Sequence, residues 1–192
     1  MFTHCGGKDR VSLVVRALQE VNVPIGIAID FDVLNSERPL KDIFEAAGGD
    51  WDKIKADWKL VKNSIDNKKP ELTSKEVINQ ITEELKKVNS DTFPDETKNI
   101  IQKIFKRSSP WAHAKEVGMP FVPSGDPTNA LTRLTNELER NGIFVVPVGE
   151  LEGFVKSIGN HGPRWVNEVL KKDLKNDREF KDSKDFVQKL IR

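Results

Sequence analysis

The sequence predicts an α/β fold built on a parallel sheet, and three observations predict it. Pro24 to Leu34, PIGIAIDFDVL, carries five small or apolar residues in a row, Ile25 to Ile29. An unbroken run of this kind, rich in β-branched residues, reads as a strand buried on both faces. Ile143 to Val148, IFVVPV, is a second such run. A strand, a glycine turn and a helix precede the first run, so the opening reads as a βαβ unit. Residues 36–110 hold helix-period patterns and no convincing strand. The expected organisation is therefore an α/β core over 1–35 plus 111–192, interrupted by a helical insertion over 36–110.

Taken in order, Phe2 to Cys5 is a candidate strand and Gly6-Gly7 a turn. Val11, Val14, Val15 and Leu18 give Asp9 to Glu20 a helical stripe, which feeds the strand over 23–30. Pro39 to Ala47 is a helix stopped by Gly48-Gly49. From Asp50, the spacing of Trp51, Ile54, Trp58, Val61 and Ile65 makes an amphipathic helix, with both tryptophans assigned to the core. Pro70 interrupts the chain. Thr73 and Glu76 form a capping box ahead of Val77, Ile81, Leu85 and Val88. A further helix runs from Pro94 to Lys106. The many lysines of this region are either the wet faces of helices or a phosphate-tracking surface.

Residues 108–126 are rich in Pro, Gly and Ser and read as an ordered loop. His113 within it has no second His or Cys at metal-ligand spacing and is read as structural. Asp126 and Pro127 open a helix that Asn141-Gly142 closes. Pro147 places the far end of the second strand at an edge or past the ladder. Phe154 to Ile158 is short and helical, GNHGP over 159–163 is a turn holding His161, and Pro163 to Lys175 is a helix with Trp165, Val166, Val169 and Leu170 inside. The charged tail from Asp177 ends in an amphipathic turn with Phe186, Val187, Leu190 and Ile191.

Composition narrows the class. The 192 residues are 37% hydrophobic and 32% charged, with a net charge of +1. That is enough apolar material for a real core, and no strongly basic surface announces nucleic acid, although a local patch can bind one inside a neutral total. The single cysteine, Cys5, rules out an internal disulfide framework and fits a reducing, cytoplasmic setting. No stretch of membrane-spanning length is apolar, so no membrane is expected.

The chemistry concentrates at one edge. Ligands of open α/β sheets bind outside the carboxyl ends of the strands. Asp30 and Asp32 stand at that end of the first run, two apart, so an extended chain leans both carboxylates to one side. Such a pair on a rigid strand suits a hard cation such as Mg²⁺ or Mn²⁺; the alternative is a strand that ends in a polar turn. Lys8 lies in the turn at the same edge, as a phosphate-facing cation or as a solvated turn residue. HCGGKDR is not a P-loop, because Asp9 stands where that loop needs Ser or Thr. If the second strand is parallel to the first, Gly149-Glu150-Leu151-Glu152 reaches the same edge. One glutamate would then complete a three-carboxylate cluster, and spacing alone does not choose between Glu150 and Glu152. Both also suit the first turn of a helix.

HCGGKDRV, VPIGIAIDFDVLN, VVPVGELEGFV and NHGPRWVNEVL, in this order around a helical insertion, resemble the toprim domain at the C-terminal end of OLD-family ATP-dependent nucleases. The similarity covers most of the chain apart from the insertion. The resemblance implies a Rossmann-like parallel sheet, Mg²⁺ or Mn²⁺ as cofactor, and cutting or joining of nucleic-acid phosphodiesters. It implies that Asp30 and Asp32 are the family's Asp-x-Asp pair and that Glu152 is the acid after the last strand, with Glu150 second. It implies nucleic acid, DNA, as partner, and an AAA/ABC-type ATPase part in the same or a partner chain, since no Walker motif occurs in this sequence. The family's first strand, with its Glu-Gly, is expected ahead of Phe2. The chain thus reads as the C-terminal part of a longer protein, a truncated gene, or a half completed by a partner, and is expected to cut poorly alone.

In the leading mechanism Asp30, Asp32 and Glu152 hold the cation, and Lys8 neutralises charge on the transition state. A strand ending in Asp-x-Asp also opens haloacid-dehalogenase-like phosphatases, where the first Asp attacks phosphorus. Gly125-Asp126-Pro127-Thr128-Asn129 is similar to their late acidic motif, whereas Leu34 replaces their usual Thr or Val. A sugar transferase using Asp-x-Asp is more remote. The non-enzymatic alternative is a toprim-derived module that binds DNA or protein.

Overall fold

The structure, a computed structural model, describes residues 5–159 and 162–191. Phe2 to His4 of the expected opening strand, and His161, lie outside the described residues.

Two strands pair in parallel, β1 (Ile27–Ile29) with β2 (Ile143–Val145), in the register Ile27↔Ile143, Ala28↔Phe144 and Ile29↔Val145. Both apolar runs therefore form strands, but only three residues of each join the ladder. Ile27 and Ile29 are buried while Ala28 is exposed, so β1 is covered on one face among the described residues, not on both. The small side chain of Ala28 hid this alternation in the sequence. The described residues show α/β pairing in a mostly helical chain rather than a wide sheet.

Helices do most of the packing. The first helix, α1 (Lys8–Glu20), lies against α2 (Glu37–Ala46), and α3 (Trp51–Asp66) lies along α7 (Asp126–Arg140), which backs β2. One hydrophobic core joins β1 and β2 to Phe31, Leu34, Leu40, Ile43, Phe44, Trp58, Leu134 and Leu138. Trp51 and Trp58 are core residues, as their spacing required, and Trp58 donates its indole N–H to the Leu34 carbonyl at 2.8 Å. Residues 36–110 do not pack as one body. Helices α2 and α3 belong to the main core, whereas α4 (Ser74–Lys86) and α5 (Asp95–Arg107) close a small core of their own around Leu72, Val77 and Ile104. The capping box at the start of α4 forms with both of its bonds, Glu76 N–H to Thr73 and Thr73 N–H to Glu76.

Three local expectations change. Residues 110–117 are a helix, α6 (Pro110–Val117), where the composition predicts a loop. Ser109 caps it by accepting from Ala112 N–H, and Pro110 occupies its first turn, a combination that starts helices. Leu151–Phe154 forms a 3-10 turn in place of a helix over 154–158. Helix α8 (Pro163–Val169) stops short of Lys175 and leaves Val166 and Leu170 exposed, so these are not core residues. The tail closes with a full helix, α9 (Lys181–Leu190). No helix among the described residues is long and apolar enough to cross a membrane.

Candidate functional site

The site begins where β1 stops. Asp30 keeps extended backbone, and the chain then winds into a 3-10 turn, Phe31–Asn35. Asp30 and Asp32 thus share a side through this turn and not through an extended strand. Phe31 between them points the other way, is fully buried, and packs against Trp111 of α6 with ring centroids 6.3 Å apart.

That contact sets the next residue. Trp111 and Lys115 are four apart on α6 and therefore share one face. Trp111 is anchored from below by its indole N–H to Asp66 of α3, at 2.7 Å. With Trp111 fixed on Phe31, the Lys115 ammonium falls between the two aspartates, 4.0 Å from Asp30 and 3.9 Å from Asp32. Glu150, at the mouth of the 3-10 turn Leu151–Phe154, closes the set at 3.5 Å from the same nitrogen.

Backbone bonds lash the three segments together. Phe31 N–H donates to the Gly149 carbonyl at 2.7 Å, and Met119 N–H to the Pro147 carbonyl at 2.9 Å. Gly149 has φ +99°, and a Cβ there would overlap the carbonyl oxygen of Lys115. The residues after β2 can approach α6 this closely only because residue 149 lacks a side chain.

Charge at the site is unbalanced. Burial pushes the Asp30 carboxyl up to about 6; Lys115 opposes the rise, while Asp32, Glu150 and Glu152 add to it. Burial works against the Lys115 ammonium too, but Asp32, Asp30 and Glu150 outweigh it and hold its pKa above the usual value. Three acids thus act on one ammonium, with Glu152 acting on Asp30 beside them, a surplus of negative charge at a sheet edge.

The expected residues divide. Asp30, Asp32 and Glu150 converge. Glu152 lies near enough to raise Asp30, but its carboxylate accepts the Gly162 N–H at 3.0 Å. Lys8 stands apart: its ammonium reaches the Ser36 hydroxyl at 3.4 Å, at the far end of the 3-10 turn, and makes no ion pair with the four acids among the described residues. Asp126 opens α7 and interacts with Arg133 along that helix. Lys115 is absent from the residues that the sequence singles out. The cap-plus-proline start at Ser109-Pro110 and the Trp111–Lys115 spacing are the signals that point to it.

All donors here are carboxylate oxygens in anionic surplus, a chemistry that fits a hard divalent cation. Their present spacing is that of carboxylates gathered by an ammonium. Among the described residues no three His, Cys, Asp or Glu side chains are drawn together closely enough to hold an ion. No family model, curated protein or solved structure compared with the chain matches it.

Proposed function

We propose that this chain is a divalent-metal-dependent phosphodiester hydrolase module acting on nucleic acid, DNA, and working with an ATPase part in the same or a partner chain. The observation that supports it is the convergence of Asp30, Asp32 and Glu150 on Lys115 at the carboxyl edge of a parallel pair. The resemblance of the surrounding motifs to toprim nucleases gives the reaction class.

Asp30, Asp32 and Glu150 are the residues that would hold the cation, with Glu152 beside them. A bound Mg²⁺ or Mn²⁺ supplies Lewis-acid polarisation of the phosphate and a more acidic water. The remaining work falls to the chain. Lys115 lies 3.5 Å from Glu150 and about 4 Å from both aspartates, so its flexible stem can turn the ammonium toward a phosphate once the acids have another cation to balance. Placed there, it offsets charge that develops on the non-bridging oxygens. The role expected of Lys8 therefore passes to Lys115.

The test is calorimetric titration with Mn²⁺, followed by nicking of supercoiled plasmid, on the wild type and on Asp32→Asn. Saturable binding and nicking, both lost in the variant, are the expected result. Nicking that survives Asp32→Asn sinks the proposal. Metal-dependent hydrolysis of p-nitrophenyl phosphate without nicking would move the chain to the phosphatase class.

A further inference from the structure

The small hairpin of α4 and α5 has two unlike sides. The helices run antiparallel, with Leu72 N–H bonded to the Arg107 carbonyl at the base and Val77, Ile81, Ile100 and Ile104 meeting between them. Val77 and Ile104 therefore mark the line along which the helices face each other. One residue turns an α-helix by about 100°. Taken forward from facing positions of an antiparallel pair, that step leads on both helices to the same side. Here it leads to Ile78 and Phe105, which are 63% and 55% exposed. Leu85, two turns beyond Ile78, extends the row and is 45% exposed. The opposite side carries Gln80, Glu83, Lys103 and Arg107, which line one cavity there.

We propose that the side of the hairpin bearing Ile78, Leu85 and Phe105 is a docking groove for one acidic amphipathic helix of a partner chain. The proposal goes beyond the hydrolase reading and does not rest on it.

Shape, charge and area choose the occupant. Ile78 and Leu85 make one ridge and Phe105 the other, and packed helices stand about 8–10 Å apart. The furrow between such ridges is filled by the side chains of a third helix and left empty by a flat bilayer. Anchors three, four and seven residues apart on that helix match a groove of this kind.

The charges beside the row are lysines in excess. Lys75 stands three residues before Ile78, Lys86 directly after Leu85, and Lys98 two turns before Phe105, with Asp95 the acid among them. Lys75 makes no ion pair among the described residues. Lys98 holds Asp95 at 2.9 Å, and Lys86 reaches round its helix to Glu83 at 2.7 Å. Both pairs are exposed, so they are weak and open to exchange with a partner's carboxylates. A second copy of this face would set lysine against lysine, whereas an acidic helix meets the excess.

The area fits a reversible contact. Phe105 shows water about half of the roughly 150–250 Å² that an aromatic residue can bury. With two aliphatic anchors beside it, that is the apolar centre of a small interface rather than of a permanent dimer.

The experiment is fluorescence anisotropy with a labelled synthetic peptide of about five helical turns, roughly 18 residues. It carries leucines three and four residues apart and glutamates on both flanks. A second peptide has lysine in place of every glutamate. The full chain is titrated as the wild type and as Ile78→Ser/Phe105→Ser, Lys75→Glu/Lys98→Glu and Lys103→Ala, each checked for fold by circular dichroism. The wild type is expected to bind the glutamate peptide about tenfold tighter than the lysine peptide, and less tightly as salt rises. Ile78→Ser/Phe105→Ser should lose about tenfold or more in affinity. Lys75→Glu/Lys98→Glu should reverse the preference between the peptides, and Lys103→Ala, on the opposite side, should leave it unchanged. Equal binding of the two peptides by the wild type, or undiminished binding by Ile78→Ser/Phe105→Ser, overturns the groove. A wild type that ignores both peptides but binds phosphatidylserine vesicles or single-stranded DNA, and loses that binding in Ile78→Ser/Phe105→Ser, overturns the helix as occupant. A dimer in sedimentation equilibrium that the same variant dissociates assigns the face to a second copy and overturns it equally.

Discussion

Replacing Asp30 by Asn should stabilise the protein near pH 8 and do nothing near pH 4. The native chain holds the Asp30 carboxyl at about 6, against 3.8 for the ordinary group. Native Asp30 therefore binds its proton more tightly than the unfolded chain does, and stability falls as pH rises from about 4 to 6 and levels off above. At about 1.36 kcal/mol per unit, a shift of this size sets an upper bound of roughly 3 kcal/mol. The side chain is 40% exposed, and solvent screening reduces the figure to about 1 kcal/mol. Asn keeps the shape and removes the charge, while Lys115 retains Asp32 and Glu150. For a chain of this length the gain corresponds to about 2–4 °C in Tm. Urea and thermal unfolding of both proteins from about pH 4 to 8 measure it. A variant that is less stable at pH 8, or whose difference from the wild type does not change with pH, would refute the burial-raised Asp30 carboxyl.

Lys115→Met should act in the opposite sense. It leaves Asp30, Asp32 and Glu150 facing one another, costs about 1–3 kcal/mol near pH 8, and costs less near pH 4, where Asp30 is protonated; melts at the two pH values decide it. Gly149→Ala should cost about 2–4 kcal/mol at any pH, from a positive φ and a Cβ driven into the Lys115 carbonyl, and a loss below about 1 kcal/mol in urea unfolding would contradict that packing. Trp58→Phe should cost about 1–2 kcal/mol, because the buried Leu34 carbonyl loses its donor at 2.8 Å; equal stability of the two proteins would show that another donor replaces it.

Periodic elements are legible in the sequence, and long-range placements are not. The stripe of Trp51, Ile54, Trp58, Val61 and Ile65 is α3 and is buried, and the Thr73–Glu76 box starts α4 as its residue types demand. The two apolar runs are legible as strands, and their parallel pairing, a condition in the sequence, is present in the structure. Residues 108–126 look like a loop when proline density is weighed as a loop signal, yet Ser109-Pro110 is a helix start. The same ambiguity hides Lys115, since a lysine on a loop has no predictable face, whereas one turn beyond Trp111 it has only one. The carboxyl edge of β1 is visible as Asp30 and Asp32. Which glutamate turns inward depends on Gly149 and the 3-10 turn after it, a backbone detail that residue types alone do not encode. Lys8 takes its expected place from its position in a turn, and its separation from the acids depends on how α1 sits on α2.

The separate core of α4 and α5 has a dynamic consequence. Three buried residues, with Ile81 and Ile100 beside them, are a thin seal, and Ile78 and Phe105 of the same helices remain in water. At the base, Leu72 N–H to the Arg107 carbonyl and the Arg107–Glu71 pair hold the hairpin shut. Parting these two helices exposes far less apolar surface than disturbing the layer shared by α3, α7 and the strands, so it costs far less free energy. The chain therefore holds two cooperative units of unequal depth. The amides of α4 and α5 should exchange with solvent hydrogen through a shallow local opening, ahead of those in the main core. Those of β1, β2 and α7 wait for the unfolding of the whole, and the carboxylates, fixed to the deep unit, keep their positions while the hairpin breathes.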